Sequence, residues 1–111
     1  MNATGQGQAA VLSGDGSGRF RVEGAITIES APSVLASGSG LLAATAAGAA
    51  VEVDLSGLTE FDSAALGVFF EWQRRSAEAG PRIHYLNLPP KLATLAALYG
   101  VDALLAAPAH G

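Results

Sequence analysis

From Val51 the chain alternates apolar and polar positions, with Val51, Val53 and Leu55 set against Glu52, Asp54 and Ser56. A period of two predicts a strand half buried on a sheet, which Ser56-Gly57 is expected to end. Beyond that break the period changes. Leu66, Phe69, Phe70, Gln73 and Ala77 recur at intervals of three and four, which predicts a helix whose buried stripe has one polar member. Glu71, Arg74, Arg75 and Glu78 form its solvated face. Between these faces lie Ala64, Val68 and Trp72, too many apolar groups for an edge facing water. Trp72 has two readings: a ring folded over the rim of the core, favoured for a lone tryptophan, or the centre of a docking strip for a partner helix. Asp62 and Ser63 stand at the junction of strand and helix, where either oxygen can accept a hydrogen bond from an orphan backbone N–H. One cap suffices, so the doublet suggests a second use for Ser63 as an exposed hydroxyl among carboxylates and the small residues Ala64, Ala65 and Gly67.

Elsewhere the same patterning predicts further elements. The first eight residues read as a tail, followed by a short strand near Ala9 to Leu12 and a hairpin turn at Gly14-Asp-Gly-Ser-Gly18. Phe20, Val22 and Gly24 alternate with Arg19, Arg21 and Glu23 in a second half-buried strand. Ser30-Ala-Pro32 opens a helix, with serine as cap and proline in the first turn. Ser37-Gly-Ser-Gly40 is expected to break it. Gly80-Pro81 closes the central helix, Arg82 to Leu88 is a strand, Pro90 begins the last helix and Gly100 ends it. In that last helix Leu92, Leu95, Ala96 and Tyr99 make a core stripe. Leu98 lies beside it within reach of a partner, and Tyr99, with an apolar ring and a polar end, suits the edge of an interface. Strands alternating with helices after a hairpin imply one mixed sheet with helices packed on it.

A length of 111 residues suits one core. The net charge of −4 argues against nonspecific binding to nucleic acid or anionic membrane. The absence of cysteine excludes disulfides and thiolate metal sites. Residues 1–8 lack the basic start and apolar core of a signal peptide, and the Ala-rich run from Leu41 to Val51 is about half the length of a bilayer span. A cytoplasmic protein with no membrane span is expected. Candidate catalytic chemistry is weak. His84 lies on a strand and His110 in a loose tail, with no metal-ligand spacing between them. Glu60 and Asp62 read as solvated charges in a short loop. Gly14 to Gly18 lacks the Lys-Ser/Thr of a phosphate-binding loop. No cofactor, metal or catalytic residue is expected.

The segment Asp54-Leu-Ser-Gly-Leu-Thr-Glu-Phe-Asp-Ser-Ala-Ala-Leu66 resembles the STAS domain family, in which a strand ending in Asp-Leu-Ser leads to Asp-Ser or Asp-Thr, small residues and Leu. That family occurs in bacterial anti-sigma factor antagonists, in the cytoplasmic tails of sulphate transporters and in the MlaB subunits of phospholipid ABC transporters. Leu95-Ala-Ala-Leu-Tyr-Gly-Val-Asp-Ala-Leu-Leu105 is similar to the last helix and tail of the MlaB branch in particular. The resemblance covers roughly the second half of the chain. It implies an α/β STAS-like sandwich of about four to five strands and three to four helices, formed by residues 9–107 between tails at 1–8 and 108–111. It further implies a non-catalytic subunit of a phospholipid-transport ABC complex, peripheral to the inner membrane, that docks on the ATPase and through it on the permease. With the signature serine as its centre and the apolar patterning above, the expected contact residues are Asp62, Ser63, Ala64, Ala65, Val68, Trp72, Leu98 and Tyr99. The alternative that the resemblance leaves is an anti-sigma factor antagonist whose Ser63 is phosphorylated by a partner kinase.

Overall fold

A computed structural model describes residues 8–14 and 18–100 of the chain. The tail at 1–7, the centre of the hairpin turn at 15–17 and the whole of 101–111, including the end of the Leu95 to Leu105 segment and His110, lie outside the described residues.

The described residues form one mixed sheet of four strands with three helices. In chain order these are β1 (Val11–Gly14), β2 (Arg19–Ile26), α1 (Ala31–Ala43), β3 (Ala50–Phe61), α2 (Ser63–Ala79), β4 (Arg82–Leu86) and α3 (Pro90–Leu98). Spatial order follows chain order. β1 and β2 are antiparallel, whereas β2–β3 and β3–β4 are parallel, as the intervening helices require. Val22, Val51, Val53, Leu55 and Ile83 point from the sheet into a core closed by Val34, Ala65, Phe69, Trp72, Leu92 and Ala96.

Two expectations are corrected here. Ser56-Gly57 does not end the strand, and β3 runs 12 residues to Phe61. Arg21 pairs with Asp54 and Glu23 with Gly57, so Leu55 and Ser56 together face Val22 alone, the count of a β-bulge. Gly57 permits this because a β-carbon there would stand 2.7 Å from the Val22 carbonyl oxygen and 2.6 Å from Cγ of Glu23. Nor does Ser37-Gly-Ser-Gly40 break α1, which continues 13 residues to Ala43. Gly38 is buried inside the helix, and a side chain there would strike the Trp72 indole. That glycine forms the seat in which α2 packs on α1.

Candidate functional site

The two parallel strands β2 and β3 end side by side, Ile26 opposite Phe61. Their C-terminal ends bring the β2–α1 turn against the start of α2. Asp62 is the residue that ties them. Its backbone is extended, and its carboxylate accepts from Ala64 N–H through Oδ1 at 2.8 Å and from Ile28 N–H through Oδ2 at 3.1 Å. The cap is therefore Asp62, and the reading of Asp62 as a solvated charge is corrected, because its carboxylate is occupied on both sides. Ser63, the first residue of α2, is exposed.

The apolar strip expected along α2 does not face water. Val68 is 3 % exposed and Trp72 1 %, and Ala65 is fully buried. The cause is α1. It lies over that side of α2, and the Trp72 indole N–H donates to the Leu35 carbonyl at 3.2 Å. The Trp72 ring also packs at 5.7 Å from that of Phe69, which in turn lies 5.1 Å from Tyr85. Tyr85 donates its hydroxyl to the Phe69 carbonyl at 2.9 Å, and burial pushes its phenol well above the ordinary range. Helix α2 is thus turned by about one position from the expected stripe. Val68, Trp72 and Ser76 go inward while Ala77 is exposed. Of the expected contact residues, Val68, Trp72 and Ala65 belong to the core, so a charge at Val68 would report folding rather than docking. Ser63 is exposed and Ala64 half-buried beside the Asp62 clamp, and on α3 Leu98 is 74 % and Tyr99 60 % exposed. Tyr99 is accordingly not part of the core stripe of Leu92 and Ala96.

Ile28, beside Asp62, is a residue that the sequence reading passed over. It is 75 % exposed. Alternation gave no warning, because Ile28 stays in phase with the inward residues Val22 and Ile26 until the chain turns at Thr27.

Asp54, at the other end of the signature, has a structural duty. Oδ1 accepts from the Asn87 side-chain amide at 3.0 Å and from Ser56 N–H at 2.9 Å, and these bonds, with Arg21 nearby, lower its carboxyl to about 2. It thereby pins the β3 bulge to the turn that leads into α3. Other clefts offer little chemistry. One of about 240 Å³ lies between the C-terminal parts of α1 and α2, lined by Ser39, Leu42, Ser76 and Arg75, whose guanidinium is held by Glu71. Among the described residues no group of three or more His, Asp or Glu side chains is placed to hold a metal ion, and no helix is long and apolar enough to cross a membrane.

A capped helix start with an exposed serine beside it is the arrangement that the Asp54 to Leu66 segment predicts, and the long bulged strand that carries it is not. The family model described as "Mlab, STAS domain" matches residues 9–106. The chain belongs to the STAS domain family, in its MlaB branch. Solved structures place the fold in the same group. An anti-sigma factor antagonist from Mycobacterium paratuberculosis is 18% identical, with a TM-score of 0.64 over 95% of this chain and 87% of that one. The Bacillus cell fate determinant SpoIIAA in its phosphorylated form is 19% identical, with a TM-score of 0.60 over 84% and 85%. The unphosphorylated form of the anti-sigma factor antagonist SpoIIAA is likewise 19% identical, with a TM-score of 0.57 over 78% and 80%. No curated protein matches the chain. In this STAS domain, then, the signature serine is spared the capping role by the aspartate before it.

Proposed function

We propose that this STAS domain, folded over residues 9–107, is a non-catalytic subunit of a phospholipid-transport ABC complex. It docks on the cytoplasmic ATPase through the Ser63 end of α2, supports assembly or activity of that subunit, and is held at the inner membrane through the complex. The observation that carries this reading is the match to the MlaB STAS family across nearly the whole chain. The exposed Ser63, with Asp62 and Ala64 beside it, is the surface assigned to the contact, and the exposed Leu98 and Tyr99 of α3 are assigned to it as well. Val68, Trp72 and Ala65 support that surface from beneath.

A second reading is favoured by one observation. The solved structures of like fold are named as anti-sigma factor antagonists, and one holds a phosphorylated form. On that reading a partner kinase phosphorylates Ser63 and the complex dissociates. A phosphate on the exposed Ser63 meets the positive end of the α2 dipole, so the fold tolerates it, although the Ala64 N–H is already taken by the Asp62 carboxylate and the Ala65 N–H by the Asp62 carbonyl. It also adds roughly −1.5 to −2 charges beside Glu60 and Asp62 in any contact made there. Co-purification of the tagged chain from its native cell separates the two readings. Recovery of an ABC ATPase with its permease supports the first, recovery of a serine kinase in their place supports the second, and recovery of neither overturns both. On either reading Ser63→Asp weakens the complex that forms while the melting temperature stays near that of the wild type.

A further inference from the structure

The β2–α1 turn holds an isoleucine in water. Burying such a side chain is favourable, yet Ile28 remains 75 % exposed. The turn that presents it is braced. The Ser30 hydroxyl accepts from Thr27 N–H at 2.9 Å and donates to the Ala25 carbonyl at 2.8 Å, while the Thr27 carbonyl takes the N–H groups of Ser30 and Ala31. The Ile28 N–H is fastened to the Asp62 carboxylate, which places this side chain next to the start of α2. An apolar group already held in position loses little freedom when a partner covers it.

The chain on either side of it carries charge of one sign. No Lys, Arg or His occurs from residue 22 to residue 73, a stretch that contains the β2–α1 turn and the β3–α2 junction, while Lys91 follows the third connection at this end of the sheet, from β4 to α3. Glu29 follows Ile28 directly, Glu60 lies near the end of β3, and Asp62 joins β3 to α2. A negative field of this kind disfavours an anionic membrane or a nucleic acid. A second copy of the same face would bring like charges together.

We propose that Ile28 is the apolar anchor of the docking surface that includes Ser63, and that it enters an apolar pocket rimmed by Lys or Arg side chains on the partner protein. This rests on the docking reading above, with the transporter ATPase as occupant. Titration of the purified ATPase against the full-length wild-type chain, Ile28→Ser and Glu29→Lys, at low and high salt, tests it. Ile28→Ser is expected to raise Kd roughly tenfold to a hundredfold, since most of the burial gain is lost, with the melting temperature unchanged. Glu29→Lys is expected to slow association and flatten the salt dependence. Wild-type binding that Ile28→Ser leaves untouched, or that Glu29→Lys tightens, overturns the anchor and leaves the docking reading standing. A wild-type chain that does not bind the ATPase at all overturns both.

Discussion

Replacing Asp62 by alanine removes two acceptors at once and separates the two candidate caps of α2. The bond from Ala64 N–H, at 2.8 Å, is the N-cap, and deleting such a cap costs about 1 kcal/mol. The bond from Ile28 N–H is longer, at 3.1 Å, and solvent-exposed, so water takes over part of it and its loss costs about 0.5–1 kcal/mol. The sum of about 1.5–2 kcal/mol, at roughly 4 °C per kcal/mol for a domain of this size, lowers the melting temperature by about 6–8 °C. Asp62→Asn keeps a good capping oxygen and gives up mainly the favourable charge at the helix N-terminus, about 0.3–1 kcal/mol. Ser63→Ala changes an exposed group outside the cap, so its cost stays within about 0.5 kcal/mol. Melting curves of the three variants followed by circular dichroism should therefore rank Asp62→Ala lowest, then Asp62→Asn, with Ser63→Ala near the wild type. The same samples carry a functional consequence. Asp62→Ala frees the Ile28 turn from α2 and should weaken partner binding, whereas Ser63→Ala should retain it. If Ser63→Ala melts as low as Asp62→Ala, the serine is the cap after all, and the argument that it is free for regulation or contact collapses.

The glycines of Ser37-Gly-Ser-Gly40 should respond with opposite signs. Gly38→Ala gains helix propensity of about 1 kcal/mol but drives a methyl into the buried Trp72 ring, an overpacking cost of about 1–3 kcal/mol, so the protein should melt lower. Gly40→Ala meets nothing within 4 Å and should melt higher by a few degrees; equal shifts for the two would refute the proposed seat. Asp54 sets an acid dependence. Its folded value of about 2 lies below the ordinary 3.8, so its contribution, up to about 2 kcal/mol, is present above pH 4 and is lost as the pH falls toward 2. Urea midpoints at pH 7 and pH 2.5 should fall less for Asp54→Asn than for the wild type, and parallel falls would mean that Asn87 and Ser56 do not hold this carboxylate in solution.

Local signals determined much of this protein. Alternation at Val51, Val53 and Leu55, the switch to helical spacing at Leu66, the cap at Asp62, and the stops at Gly80-Pro81 and Gly100 are all short-range preferences. Each survives in the fold because no distant residue opposes it. The STAS family was legible for the same reason, since its signature is one contiguous strand, turn and helix. Tertiary structure decided the rest wherever a distant partner outweighed a local preference. Two glycines in α1 cost about 2 kcal/mol of helix propensity, but leaving a tryptophan unpacked costs about 3–5 kcal/mol, so α1 continues through Gly38 and Trp72 becomes core. Ser56-Gly57 becomes a bulge because β2 lies alongside to pair with it, and β2 is more than 30 residues away in the chain. Ile28 is in phase with the core until Ser30 and Asp62, reaching it from two directions, hold its turn in the open. Burial and pairing are properties of surfaces that meet only after folding, and no window of the sequence contains both sides of such a contact.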